Sequence, residues 1–162
     1  MPDITIGSTI ISFPDSGESP NWSESVIQFA EAVAAQLSIA TGTYDVAPQS
    51  MTIDAYNNAS NVDIPALSFP ASNVRAAFIN YTVYRSTNSA NGDEAGDLII
   101  VYNPNNSVGM KWTVTQGNKT GKGASIAFNV TDTGQVQFTT SALAGTSHAG
   151  KIGFYAKAIE QS

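Results

Sequence analysis

From Val74 onward the chain returns repeatedly to one pattern: a short run of β-branched and aromatic residues closed by Gly, Asn or Asp. Alternation with a period of two places successive side chains on opposite faces of a strand, and a helix has no use for it. Six runs are legible. They are Phe78–Tyr84, Asp97–Tyr102, Met110–Thr115, Ile126–Val130, Val136–Phe138 and Ile152–Ile159. In the third, Met110, Trp112 and Val114 alternate with Lys111, Thr113 and Thr115. The fourth and fifth are joined by Thr131-Asp132-Thr133-Gly134, which is turn chemistry. Strands separated by such short connections form antiparallel pairs, and the pattern predicts a mainly β, jelly-roll-like antiparallel β-sandwich.

The first 73 residues read differently. Ile4–Ile11 alternates apolar and small residues as an N-terminal strand, and Phe13-Pro14-Asp15-Ser16-Gly17 ends it. One N-terminal α-helix follows. Asn21 caps it with Glu24 three residues on, Trp22 lies in its first turn, and Gly42 stops it. Val26, Ala30, Val33 and Leu37 share one stripe, with Ile27 and Ala34 beside them, so Val33 and Leu37 are expected to be buried. The last turn carries no cation to offset the helix dipole. Residues 43–73 are interrupted by Pro48, Asn57, Asn58, Asn61, Pro65 and Pro70 and are expected to hold one or two short strands, one near Met51-Thr52-Ile53. A length of 162 residues fits a single domain, 1–162, with strand, helix and irregular segment over 1–73 and the β-rich part over 74–162.

Composition then narrows the chemistry. Charged residues are 12% of the chain, against roughly 25% in ordinary soluble domains. In their place stand 18 Ser, 15 Thr and 13 Asn. Cysteine is absent, which removes disulfides, thiolate metal sites and thiol nucleophiles together. His148 is the single histidine, the one side chain type that titrates near neutrality unaided. Net charge is −6 and unevenly placed: residues 1–74 hold eight carboxylates and no Lys or Arg. All seven cations lie in 75–162 beside five carboxylates, giving +2 there. Either one domain has two differently solvated faces, or acidic and basic halves of neighbouring subunits meet. Scattered cations make no nucleic-acid patch. No apolar run approaches the ~20 residues of a membrane span, and the N-terminus shows no secretory signal, so synthesis in a cytoplasm is expected.

Each chemistry-bearing cluster has a plainer explanation. Asn91-Gly92-Asp93-Glu94-Ala95-Gly96-Asp97 gathers three carboxylates and an amide, the oxygen donors calcium takes. It lacks EF-hand spacing and reads equally as a solvated hairpin tip. Lys119-Thr120-Gly121-Lys122-Gly123 opens no helix and reads as a hairpin loop. His148 lies in the small-residue loop Gly145–Gly150 with no neighbouring ligand or acid. Of six N-x-S/T triplets, those at Asn80 and Asn129 fall inside expected strands, so glycosylation is not expected. Trp22, Trp112 and the six tyrosines could stack on sugar rings, although alternating aromatics more commonly face a core or an interface. No catalytic, cofactor-binding or metal-binding residue is assigned.

Phe13–Gly17 followed by Asn21-Trp22, together with Ile99–Asn105, resembles short virion proteins of tailed bacteriophages. Phe128–Phe138, Ser141–Gly145 and Lys151–Ala158 are similar to a β-domain of phage fibre and particle-surface proteins. The resemblance implies a non-enzymatic structural protein of the virion, made in the host cytoplasm, that decorates the capsid or forms a fibre or tail appendage. It implies symmetric self-assembly, commonly as trimers, against other capsid, neck or tail proteins. The alternative is a carbohydrate- or receptor-binding module meeting a host surface glycan. No cofactor, nucleic acid or membrane enters either reading.

Overall fold

The computed structural model describes residues 42–161 in full, the backbone of 3–6 and 9–12, and the segment 26–31. The chain divides into two compact units, residues 1–41 and 42–162. In the first, β1 (Asp3–Ile6) and β2 (Thr9–Ser12) pair antiparallel with Ile6 opposite Thr9. The expected single strand over Ile4–Ile11 is therefore two strands. Gly7-Ser8 between them has the glycine-first composition of a two-residue hairpin connection, and alternation alone does not mark where a strand turns back. The helix, α1, is described over 26–31, where Val26, Ile27, Phe29 and Ala30 are exposed. An apolar stripe is buried only where another surface covers it, and Val26, Ile27 and Ala30 of this stripe stand in solvent, as does Phe29 beside it. The turn over 13–17, the cap at Asn21, Trp22, Val33, Ala34 and Leu37 lie outside the described residues.

The described part of the second unit contains β3 (Val46–Thr52), β4 (Ala59–Ser68), β5 (Val74–Ser86), β6 (Asn91–Tyr102), β7 (Trp112–Lys122), β8 (Ile126–Val130), β9 (Gln135–Thr140) and β10 (Ala149–Glu160). They form a five-stranded sheet in the order β3-β10-β5-β6-β7 and a three-stranded sheet in the order β4-β9-β8, antiparallel throughout. This is the antiparallel β-sandwich that the alternation requires. Each of the six expected strands is present. The proline-rich stretch holds two more, β3 and β4, the latter ten residues long.

β5 shows how period two builds the core. Ile79, Tyr81 and Val83 face inward and are buried, while Phe78, Thr82 and Tyr84 face outward and are exposed. Leu98, Ile100, Ile152 and Phe154 join the inward set from the same sheet. From the other sheet come Ile64, Leu67, Ile126, Val136 and Phe138. The Tyr81 ring lies 4.7 Å from Phe128 and links the layers, and Tyr56, in the β3–β4 connection, meets Phe138 edge-on at 5.6 Å. Burying each large apolar side chain contributes about 1.5–3 kcal/mol.

Two local devices allow this sequence to fit. Pro65 lies inside β4, an edge strand whose register jumps from Asp63 opposite Gln137 to Ser68 opposite Gln135. A bulge there places proline where no ladder N–H is needed. The Gln135 amide donates to the carbonyls of Ile64 (2.8 Å) and Leu67 (3.2 Å), which the bulge takes out of the ladder. At the start of the unit, the Asp45 carboxylate accepts from Lys157 Nζ and the Ala158 N–H, both at 2.7 Å, and from the Gly42 N–H at 2.8 Å. Burial alone would raise the Asp45 pKa, but these donors outweigh it and hold the carboxyl below its usual range.

Phe138, fully buried, and Phe78, 43% exposed, provide a paired test of the packing. Phe138→Ala is expected to lower unfolding free energy by about 3–5 kcal/mol. Phe78→Ala in the isolated, dilute protein should change it by less than about 1 kcal/mol. Urea denaturation followed by tryptophan fluorescence measures both.

Candidate functional site

The outer face of the five-stranded sheet is ordered in rows by its register. In the row of Ala76 stand Ile159 and Val101, and in the row of Phe78 stand Lys157 and Ile99. The next row brings Tyr155 beside Asn80 and Asp97, then Gly153 beside Thr82 and Ala95, then Lys151 beside Tyr84 and Asp93. Phe78, Tyr84, Val101, Tyr155 and Ile159 are each 41–53% exposed. Five large apolar or aromatic side chains thus stand in solvent on one sheet face. That face has an apolar end at Ala76 and Phe78 and a mixed aromatic and polar end from Asn80 to Tyr84.

The acidic segment Asn91–Asp97 is the first half of β6, not a hairpin tip. Its alternation separates the carboxylates. Asp93 and Asp97 share the outer face, opposite Tyr84 and Asn80, and Glu94 points inward opposite Val83. They therefore do not converge on one ion. The glycine that reads as a turn signal serves close packing, since a β-carbon at Gly92 would lie 2.1 Å from the Gly123 carbonyl. Glu94 instead joins a buried cluster. Tyr81 Oη donates to Glu94 Oε1 at 2.7 Å, and Gln116 Nε2 donates to both at 2.5 and 3.1 Å. Lys119 closes it with an ion pair to Glu94 Oε2 at 3.3 Å. Burial, and then the bond to the Glu94 carboxylate, push the Tyr81 hydroxyl up to about 12.

Lys119–Lys122 belongs to the end of β7, paired with β6 from Gly96 to Asp93, so the expected hairpin loop is strand. Met110 lies before β7 and is exposed, whereas Trp112 is buried and tilted against Tyr102 at 5.3 Å. Asn80 and Asn129 lie in β5 and β8.

His148 is drawn into a network that composition did not reveal. Arg85 is fully buried at the end of β5. Its Nη1 donates to the carbonyls of Ala124 (2.5 Å) and Ser125 (3.2 Å). Its Nη2 donates to the Asn57 carbonyl (2.8 Å), Asn57 Oδ1 (3.0 Å) and the Ser141 carbonyl (3.0 Å). Arg85 Nε donates to His148 Nε2 at 3.3 Å, while His148 Nδ1 lies 2.9 Å from the Asp54 carbonyl. A carbonyl only accepts, so the proton sits on Nδ1 and the lone pair on Nε2 faces the guanidinium. Both ring nitrogens have protein partners. Ser125 and Ser147 adopt left-handed backbone angles, φ 50° and 57°, beside the residues that this network holds. The one signal in the sequence was an arginine at an inward position of an alternating strand.

The fold defines the class of this protein as a two-sheet antiparallel β-sandwich. No family model and no curated protein matches the sequence. Among solved structures, the Acinetobacter phage vB_ApiP_P1 tailspike protein matches at 12% identity, with a TM-score of 0.41. The match covers 69% of this chain and 22% of that one. A correspondence so loose carries no argument about fold or role.

Two outcomes follow from the buried polar groups. Arg85→Met leaves several carbonyls without a donor and is expected to lower stability by about 3–5 kcal/mol in urea unfolding. Arg85→Lys is expected to recover little, because an ammonium cannot span the acceptors that a planar fork reaches. For Tyr81, a folded pKa of about 12 against 10.0 for the free group means that the native state keeps a proton the unfolded chain gives up. Its contribution is whole below pH 10.0 and is lost as pH rises toward about 12. Absorbance titration at 295 nm should show one of the six tyrosines ionising last, and Tyr81→Phe should remove that late step.

Proposed function

We propose that this chain is a non-enzymatic structural protein displayed on the surface of a tailed-phage particle, as a capsid decoration or a fibre or tail appendage, and that it works by symmetric self-assembly. The observation that carries the reading is the apolar end of the outer face, where Phe78, Ile99, Val101 and Ile159 occupy neighbouring rows of three adjacent strands with Lys157 the one charged side chain in those rows. Contiguous apolar surface on a sandwich is covered in use, and repeated copies of one chain cover it by symmetry. The phage setting rests on the resemblance of Phe13–Gly17, Ile99–Asn105 and Phe128–Phe138 to virion proteins. Low charge and an abundance of Ser, Thr and Asn suit a β surface that makes many neutral contacts.

Analytical ultracentrifugation tests the assembly. The protein is expected to sediment as a discrete multiple of 17.0 kDa, with three copies the favoured number. Phe78→Asp with Val101→Asp should yield a folded monomer. A wild-type monomer that is also absent from purified phage particles by immunogold labelling would overturn the reading.

A further inference from the structure

The rows from Asn80 to Tyr84 differ from the apolar rows beside them. Gly153, in the body of β10, lies between Thr82 on β5 and Ser50 on β3. Lacking a side chain, it floors a groove of about 250 Å³ lined by Tyr155, Pro48, Asn80 and Thr82. A β-carbon at position 153 would come within 2.8 Å of Thr82 Oγ1, so glycine keeps that floor low. A second groove has Tyr84 in its wall, with Ser86, Asn88, Ser89 and Asn91 from the β5–β6 connection and its flanks. Tyr155 is 45% exposed and Tyr84 53%. Their rows are four residues apart along β5, about 13 Å at strand rise.

We propose that these grooves are adjoining subsites for a neutral oligosaccharide, with Tyr155 and Tyr84 stacking on sugar rings and Asn80, Thr82, Ser86 and Asn91 bonding to their hydroxyls. A sugar ring has an apolar C–H face and a rim of groups that both donate and accept hydrogen bonds. Its complement is an aromatic face beside amides and hydroxyls that do both, and each groove has that composition. The immediate linings of both grooves are uncharged, and the charged side chains in their rows, Asp97, Asp93 and Lys151, are two carboxylates to one cation, a balance that disfavours an anionic ligand. A protein partner is better served by the apolar rows, where no glycine floor and no amides interrupt the surface. Two aromatic platforms about 13 Å apart fit a chain of several sugar rings rather than one.

The test applies the full-length protein to an array of short neutral oligosaccharides built on glucose, galactose, mannose and N-acetylhexosamines, with sialylated and uronic-acid glycans alongside. Hits are titrated by calorimetry. Neutral glycans are expected to bind, Tyr155→Ala and Tyr84→Ala should each weaken binding about tenfold or more, and Gly153→Val should abolish it. The tyrosine variants should keep the wild-type melting temperature, and all three variants the wild-type sedimentation coefficient. Four results would overturn the proposal: no neutral glycan bound, binding confined to acidic glycans, affinity unchanged in the tyrosine variants, or a change of oligomeric state in those variants in place of a loss of sugar binding. Sedimentation is read separately from the array, so failure of self-assembly and failure of sugar binding are distinguishable.

Discussion

One buried cation organises an end of the sandwich. Arg85 is fully buried with no carboxylate paired to it among the described residues, and a charge taken out of water in this way is tolerated only when its donors are satisfied. Here the partners are five oxygens and one ring nitrogen. They come from three separate connections: Asn57 between β3 and β4, Ala124 and Ser125 between β7 and β8, and Ser141 and His148 between β9 and β10. Each of these connections carries the chain from one sheet to the other. Arg85, on the central strand β5, therefore ties together three of the four places where the chain passes between the layers. Asn57 extends the hold, exchanging bonds with Leu143 through both ends of its amide.

The consequence is felt on the opposite face of the same strand. β5 lies in the middle of its sheet, between β10 and β6, and its inward residues are locked by the core and by the guanidinium. Its outward residues, Phe78, Asn80, Thr82 and Tyr84, inherit that rigidity without contributing to it. A surface presented on a braced strand loses little freedom when it meets a partner, which favours recognition by fit over recognition by rearrangement. The buried pair Tyr81 and Glu94, with half-buried Gln116 and exposed Lys119 donating to the same carboxylate, braces the β6–β7 side in the same manner.

Much of this architecture was legible from residue order. Alternation over Phe78–Tyr84, Asp97–Tyr102 and Ile152–Ile159 announced strands that bury one face, and Thr131–Gly134 announced the turn between β8 and β9. Two misreadings share one cause. Asn91–Asp97 and Lys119–Gly123 are rich in Gly, Asp and Lys, residues of low strand propensity, and local chemistry marks them as loops. Asn91–Asp97 and Lys119–Lys122 are paired strand, because Gly92 and Gly121 admit neighbouring backbone that a β-carbon would strike. Ile4–Ile11 erred the other way, since a two-residue connection hides inside an alternating run.

Residue order alone is enough to specify a mainly β sandwich with an N-terminal helix, since a period of two is a property of neighbouring residues and survives in any arrangement of strands. Composition likewise sets how few titratable groups the chain has to work with. The strand order, and with it which residues meet, emerges only once the chain has folded. Tyr155 and Asn80 are 75 positions apart yet adjacent in one row. Arg85 and His148 are separated by 63 positions and joined by a hydrogen bond. Such meetings depend on which edge of which strand each segment pairs with, and that choice is made by the burial of the whole core at once.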